Sequence, residues 1–226
     1  MIQEPTILYE DKYILIIHKP CGMVCEAQRK NTFQNVEQWV LEYYKSSGQK
    51  AKNLIVGICH RLDRPVSGVM MIAKKPAALK VLNSMFQKRL VKKYYHALVE
   101  SDASQIPFSP KLYHNKDEQS IMAIVSDQAS EDSKPIKSEF ECLEANAKFS
   151  IVKVRIITGK YHQIRASLSF LGHPVWNDHR YGGIKRMGLE AIGLQATQLD
   201  FNHPTTNAPM SISIENTLVQ DFVDLS

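Results

Sequence analysis

Short apolar, β-branched runs that follow one another along most of the chain constrain the fold more than any other feature of this sequence. The runs that predict strands are 6–10, 13–18, 54–59, 68–73, 91–99, 136–143, 149–157, 194–201 and 210–214. Helical patterns interrupt this succession about three times, near Val36, at Pro76 and over 161–171, before Gly172. Mostly consecutive strands predict an α+β fold with a mixed, largely antiparallel sheet and flanking helices. Because no glycine-rich phosphate loop follows any strand, no nucleotide cofactor is expected.

Length and composition indicate one globular domain over residues 1–226. Apolar residues make up 44% and charged residues 23% of the chain, which excludes disordered and coiled-coil classes. The longest apolar runs, 14–17 and 69–73, are far shorter than the roughly 20 residues of a membrane-spanning helix. Since the N-terminus has no secretory pattern, a cytoplasmic protein with free cysteines is expected. No His/Cys cluster has zinc-type spacing, so no metal site is predicted.

The basic residues are unevenly distributed along the chain. Arg64–Val99 and 145–177 together hold 13 of the 28 Lys and Arg residues and no acid. The rest of the chain carries 15 bases against all 23 acids, a formal charge of −8. Such sorting favours a polyanionic partner. Charge reversal at Lys74-Lys75 or at Lys92-Lys93 is therefore expected to weaken nucleic-acid binding with little effect on stability, as for exposed charges.

A polar loop between two predicted strands carries the first candidate site. The run Cys59-His60-Arg61-Leu62-Asp63-Arg64 places one acid between two arginines. Nearby positive charge favours the ionised carboxylate, which suits a nucleophile or an electrostatic stabiliser better than a general acid. The alternative is a structural loop in which Asp63 caps a turn or pairs with an arginine.

Two further segments carry candidate side chains. On the helix predicted over 161–171, Tyr161 and Arg165 are four residues apart and face one side together, unless Arg165 is an ordinary surface charge. On the strand over 91–99, Lys93 and Tyr95 share a face. Tyr95 is expected to be more buried than Tyr94, and a buried tyrosine is also compatible with a purely core role.

Several segments, in order, resemble the motifs of the RluA family of pseudouridine synthases. The central motif, HRLD followed after three residues by SG, is matched by residues 60–68. The other matching segments are 7–20 (ILYEDKYILIIHKP), 91–97 (VKKYYHA), 158–165 (TGKYHQIR, against the pattern T-G-R-x-H-Q-I-R), 173–182 and 199–204 (LDFNHP). The resemblance covers about residues 7–205 and begins without the N-terminal S4 domain that many members carry.

The resemblance implies a pseudouridine synthase fold with a central catalytic cleft, and it assigns roles to individual residues. Asp63 would be the essential carboxylate, as nucleophile or as base, Arg165 would pair with it, and Tyr95 would transfer a proton or stack on uracil. Arg61 would fill the space left when the target uridine is extruded. The remaining expected substrate-binding residues are His60, Arg64, Lys93, His162 and Gln163. The family's reaction needs no cofactor, and the expected partner is ribosomal or transfer RNA, bound by a monomer, with no DNA and no membrane.

The chain also departs from the family pattern. The departures are Val66 for Thr, Lys160 for Arg, Ser167 for His, Asn177 for Gly and Gln195 for His. They leave open the loop geometry after His173 and the choice of RNA. Two other functions also stay open, a non-catalytic RNA-binding protein on the same fold and an aspartate-dependent hydrolase of small molecules.

Overall fold

The structure is a computed structural model that describes residues 3–26, 35–48, 54–117, 122–186 and 188–222. The chain divides into two compact units, the first formed by residues 1–91 and 196–214, the second by residues 92–195 and 215–226. The first unit is thus discontinuous in sequence. The single-domain organisation expected over 1–226 stays a prediction.

Strands outnumber helices in the described residues. The strands are β1 (Thr6–Glu10), β2 (Ile14–Lys19), β3 (Gly57–Ile58), β4 (Ser67–Ala73), β5 (Lys92–Val99), β6 (Leu112–Asp117), β7 (Met122–Ser126), β8 (Lys134–Ile136), β9 (Ser138–Ala145), β10 (Ser150–Ile156), β11 (Leu194–Asn202) and β12 (Pro209–Ser213). The helices are α1 (Val36–Ser46), α2 (Pro76–Gln87), α3 (Gln163–Phe170) and α4 (Leu218–Phe222), with a 3₁₀ turn at His179–Tyr181. Among these residues, no helix combines the length and the apolar character needed to cross a membrane.

The sheet of the first unit is built on two apolar strands. β2 pairs antiparallel with β1 and with β4, β3 pairs with the far end of β4, and β11 lies next to β4 and pairs antiparallel with β12. α2 begins at Pro76, which suits a first helical turn, and buries Ala78, Leu82 and Met85 at helical spacing. These side chains join a core with Ile14, Ile16, Val69, Met71, Leu199 and Phe201.

The second unit contains two sets of paired strands. β10 pairs antiparallel with β5 and with β9. The β9–β10 pair was predicted from the runs 136–143 and 149–157, although Ile136 itself belongs to β8 and pairs with β6. β6 lies between β7 and β8. One core cluster joins Leu98, Ile151, Trp176, Leu218 and Phe222, and another places Ala166 of α3 and Tyr181 against the β6–β7–β8 strands.

Three sequence-based expectations need correction. β6, β7 and α4 were not predicted: β6 is largely polar, the four successive apolar residues of β7 do not alternate with polar ones, and α4 is too short to show a helical period. The strand expected over 54–59 is confined to Gly57–Ile58. α3 begins at Gln163 and not at Tyr161, because His162 has a left-handed backbone with φ of 50°, which cannot belong to a right-handed helix.

The prediction that Lys74 is an exposed charge is wrong. The residue is 4% exposed, its ammonium pairs with Glu10, and it lies 5.6 Å from the centre of the Tyr44 ring. Lys93 is half-buried, whereas Lys92 is exposed. The acid-free window from Arg64 therefore contains structural as well as surface lysines.

Candidate active site

Asp63 lies in the loop between β3 and β4, in the first unit. The Val66 N–H donates to the Asp63 carbonyl at 3.1 Å and closes a four-residue turn. Asp63 is half-buried, whereas Leu62 and Val66 on either side are buried. The carboxylate therefore stands on a loop whose apolar neighbours fix it in the core, and it keeps access to solvent.

The chain that follows β2 holds the backbone on both sides of Asp63. The Gly22 N–H donates to the Arg64 carbonyl at 2.8 Å. The Cys25 thiol donates to the Leu62 carbonyl at 3.2 Å, and the Leu62 N–H donates to the Cys25 sulfur at 3.4 Å. Burial raises the pKa of the Cys25 thiol, so it remains a neutral donor. These bonds restrict how far the Asp63 turn can move.

Lys19 is a fully buried lysine beside this loop. Its ammonium donates to the carbonyls of Pro20 at 2.8 Å and Met23 at 2.9 Å. Burial lowers the pKa of Lys19 to about 8, and the negative charge of Asp63 acts in the opposite direction. Lys19 lies within the first motif, over residues 7–20, but the motif gives it no role. Its signal was a lysine at the end of an otherwise apolar strand, next to a proline.

The other candidates of this loop have different surroundings. His60 Nε2 accepts the Met71 N–H at 2.9 Å, and its ring stacks on Phe86 at a centroid distance of 4.8 Å. The Arg61 side chain is 73% exposed and lies 3.4 Å from Glu26 in a surface ion pair. His60 thus anchors the loop on β4 and α2, whereas Arg61 extends into solvent.

Gly68 places β4 close to β11. A Cβ atom added to Gly68 would lie 2.2 Å from the Ala196 carbonyl oxygen, and its φ of +129° is one that other residues rarely adopt. Only glycine fits at this position, five residues after Asp63.

In the second unit, Tyr95 and Lys93 lie on β5. Tyr95 is 7% exposed and Tyr94 is half-buried, so the predicted order of burial is confirmed. A Cβ atom on Gly159 would lie 3.2 Å from the Lys93 ammonium, which places this charge against the chain just before α3. Burial lowers the pKa of Lys93.

Arg165 is buried in a well-defined ion pair. Its Nε donates to Asp178 Oδ2 at 2.6 Å and its Nη2 to Oδ1 at 2.8 Å, with side-chain exposures of 4% and 1%. The guanidinium carbon lies 5.0 Å from the centre of the Tyr181 ring. The alternative that Arg165 is an ordinary surface charge is therefore wrong. Asp178 lies within the motif over residues 173–182, which gives it no role.

Gln163 holds the start of α3. Its Oε1 accepts from the Thr158 hydroxyl at 2.9 Å and from the Lys160 N–H at 3.0 Å. Its Nε2 donates to the Lys137 carbonyl at 3.2 Å and to the Ser138 hydroxyl at 2.8 Å. The oxygen and the nitrogen of the Gln163 side chain both form hydrogen bonds within the protein, so Gln163 fixes the chain that precedes Arg165. Its expected contact with substrate stays a prediction.

His162 joins α3 to the 3₁₀ turn. The Tyr181 hydroxyl accepts the Ala123 N–H at 2.9 Å and lies 2.8 Å from His162 Nδ1. The His162 ring also stacks on Tyr161, with centroids 3.7 Å apart.

The structure brings the candidate residues together in two groups. The loop of the first unit carries His60, Arg61, Asp63 and Arg64, and the second unit carries Lys93, Tyr95, His162, Gln163 and Arg165. The pairing of Asp63 with Arg165 joins residues of different units and stays a prediction. Within the described ranges, no group of His, Cys, Asp and Glu has an arrangement suited to a metal ion.

Comparisons with known proteins give a consistent result. A family model described as RNA pseudouridylate synthase matches residues 13–170. The ribosomal large subunit pseudouridine synthase C of Vibrio parahaemolyticus is 31% identical over 231 residues, covering 96% of this chain and 69% of that protein. A Bacillus subtilis protein named uncharacterized RNA pseudouridine synthase YjbO is 30% identical over 214 residues, covering 93% of this chain and 73% of that protein.

Two solved human structures are similar in fold. Human RNA pseudouridylate synthase domain containing 1 matches with a TM-score of 0.74 and 22% identity over 96% of this chain and 85% of that one. Human RNA pseudouridylate synthase domain containing 4 matches with a TM-score of 0.73 and 21% identity over 93% of this chain and 88% of that one.

Proposed function

Since this chain belongs to the RNA pseudouridylate synthase family, we propose that it converts specific uridines of ribosomal or transfer RNA to pseudouridine, with Asp63 as the carboxylate that starts the reaction. The family match and the curated relatives identify the enzyme class, an RNA pseudouridine synthase, which is an isomerase. The expected family and the expected fold are thereby confirmed. The name of the Vibrio relative supports ribosomal RNA as one substrate class.

The reaction sets clear demands on the protein. The bond between C1′ and N1 of uridine breaks, the uracil turns, and a bond forms between C1′ and C5. C5 then loses its proton and N1 ends with one, so that the product is an isomer of the substrate. A carboxylate serves the first step in one of two ways, by attack on C1′ or by removal of the C2′ proton on the route through a glycal. Both start from an ionised Asp63.

The loop geometry supports this role for Asp63. A reacting group must be held within a small distance of its target while substrate enters and leaves. The hydrogen bonds of Gly22 and Cys25 to the residues beside Asp63 provide that restraint, and half-burial leaves the carboxylate accessible. The turn is the observation that carries the proposal, together with the family match.

The other roles follow from the family resemblance. Arg165 pairs with Asp63 and orients it, as a guanidinium does for a nearby carboxylate. Tyr95 acts on the uracil ring by proton transfer or by stacking. Arg61, whose side chain is largely in solvent, enters the space vacated by the extruded uridine. We expect the enzyme to act as a monomer on RNA and not on DNA.

The experiment is release of tritium from RNA labelled at C5 of uridine. Unmodified ribosomal and transfer RNA from a deletion strain serve as substrates. Asp63→Asn preserves the shape of the side chain but removes its charge, so tritium release is expected to stop while RNA affinity stays within about threefold. Asp200→Asn, which changes a half-buried carboxylate of the same unit outside the loop, is the matched control and is expected to keep wild-type turnover.

Different outcomes separate the alternatives. Substantial turnover by Asp63→Asn contradicts the role of Asp63. RNA binding by a wild-type protein that releases no tritium from either RNA supports the non-catalytic RNA-binding function. Failure of the wild-type protein to bind either ribosomal or transfer RNA supports the alternative of an aspartate-dependent hydrolase of small molecules.

A further inference from the structure

Tyr161 presents an aromatic ring at the protein surface just before α3. It is 39% exposed, although the next seven residues, 162–168, are all buried. One face of its ring is covered by the imidazole of His162, with centroids 3.7 Å apart and planes inclined by 21°. The ring is therefore supported from the protein side and open to solvent elsewhere.

The support behind Tyr161 is fixed by further hydrogen bonds. His162 bonds to the Tyr181 hydroxyl through Nδ1, at 2.8 Å, and the Tyr161 carbonyl accepts a hydrogen bond from His114 Nε2, also at 2.8 Å. An aromatic side chain whose backbone and stacking partner are both held loses little conformational entropy when a ligand binds. Tyr161 is thus preorganised for a flat partner.

The charges around this ring favour a phosphate-bearing partner. Lys160 is exposed, and the ammonium of Lys116 lies 6.0 Å from the centre of the Tyr161 ring. Tyr161 also lies within the window 145–177, which has no acid. Because 6.0 Å is at the outer limit of a cation–π contact, Lys116 can leave the ring at little cost and bind a phosphate.

We propose that Tyr161 is a stacking platform for one unpaired base of the RNA substrate, with Lys116 and Lys160 binding the adjoining phosphates. Aromatic rings in basic surroundings bind single-stranded RNA in this way, since every base has a flat face. The family pattern T-G-R-x-H-Q-I-R leaves the position of Tyr161 open, so this contact serves RNA binding by this chain and is not part of the shared chemistry. The inference deepens the proposed function and rests on it.

The test measures the dissociation constant of a fluorescent single-stranded RNA of 12 nucleotides by anisotropy. Tyr161→Ala and Tyr161→Leu are expected to weaken binding at least about fivefold, because both remove the ring, whereas Tyr161→Phe stays within about twofold. Phe170→Ala is the matched control. Phe170 is 43% exposed at the end of α3, the helix that follows Tyr161, and its loss is expected to change affinity by less than about twofold.

The dependence of affinity on salt separates stacking from charge. Tyr161→Ala is expected to keep the wild-type log–log slope, because stacking releases no counterion. Lys116→Ala is expected to reduce the slope by about 0.7, the value for one phosphate contact on a single strand. A flattened slope in Tyr161→Ala contradicts the stacking role.

Binding and turnover distinguish this inference from the proposed function. If wild type forms pseudouridine while Tyr161→Ala and Tyr161→Leu bind RNA as wild type does, the platform is wrong and the function stands. Equal weakening by Phe170→Ala also overturns the platform. If both ring-removing variants lose affinity but wild type forms no pseudouridine, the proposed function fails while the platform is supported.

Discussion

Arg165 and Asp178 are joined by two parallel hydrogen bonds in a site that excludes nearly all solvent from both side chains. The carboxylate fixes the plane of the guanidinium, and the Tyr181 ring lies 5.0 Å from its central carbon. Arg165 therefore has one orientation, which is what a residue that orients another group requires.

We expect Asp178→Asn to reduce turnover by at least about tenfold, because one of the two hydrogen bonds that orient Arg165 loses its charged acceptor. RNA affinity should change by less than about threefold, since Asp178 is 1% exposed. Glu139→Gln is the control, because Glu139 pairs with Arg155 in a more exposed ion pair of the same unit. Single-turnover kinetics and RNA binding measure the two effects. Unchanged turnover would show that the orientation of Arg165 does not depend on Asp178.

Tyr95→Phe tests whether the buried tyrosine takes part in proton transfer. The change removes only a hydroxyl group, so packing is preserved and we expect turnover to fall while RNA affinity and the melting temperature stay close to wild type. The measurement is the rate of tritium release with saturating RNA. Wild-type rates would assign Tyr95 to the core or to stacking alone.

Charge reversal at two lysines should affect two different properties, RNA binding at Lys92 and folding stability at Lys74. Lys92→Glu changes an exposed residue and is expected to weaken RNA binding without loss of stability. Lys74→Glu places a second carboxylate beside Glu10 in a buried site, and it should destabilise the protein by about 3–5 kcal/mol. Both variants are tested by urea unfolding, for stability, and by RNA-binding measurements, for affinity. A stable Lys74→Glu protein would contradict the buried pairing.

Lys19 should make stability depend on pH in an alkaline window. Its folded-state pKa is about 8 against an ordinary value of 10.5, so between these values the unfolded chain binds a proton that the folded chain has lost. The free energy of unfolding therefore rises with pH across this window, by up to about 3 kcal/mol from this residue. Lys19→Met should remove this part of the pH dependence. Urea unfolding of both proteins from pH 7.5 to 10.5 measures it, because the pH dependence due to the tyrosines is the same in both and cancels in the difference. Parallel stability curves would exclude a depressed pKa.

Gly68→Ala should destabilise the protein strongly, because the new Cβ atom would overlap the Ala196 carbonyl oxygen and the backbone φ of +129° would be strained. We expect a loss of at least about 3 kcal/mol. Gly172→Ala is the control, since its φ is +84° with no atom within 4 Å of the new Cβ, and it should cost only about 1 kcal/mol. Equal losses in thermal unfolding would assign the effect to backbone strain alone.

The sequence predicts those parts of the molecule that local pattern determines. The strands over 136–143 and 149–157 alternate clearly and form the expected antiparallel pair. β6 was missed because Leu112 and His114 are its buried residues, and a histidine in that position hides the period. The start of α3 was misplaced because His162 has a left-handed backbone, with φ of 50°, which the local sequence does not reveal.

The candidate site, like the fold, has one part that the sequence predicts and one part that it does not. Its motifs identify Asp63, Tyr95 and Arg165 by residue type and order. The partners that fix them, Asp178 for Arg165 and Cys25 for the chain beside Asp63, lie 13 and 37 positions away from the groups they bond. Such partners are chosen by tertiary packing, so a pattern read along one strand or helix cannot reveal them.

The discontinuity of the first unit has a consequence for synthesis on the ribosome. Its sheet includes β11 and β12, which leave the ribosome only after the whole of 92–195 has been made. At about 5–20 residues per second, β4 waits roughly 6–25 s for the strand against which Gly68 packs. During that interval the apolar edge of β4 lacks its neighbour. The nascent chain is thus most exposed to aggregation, and most dependent on chaperones, while the part that carries Asp63 is already outside the exit tunnel.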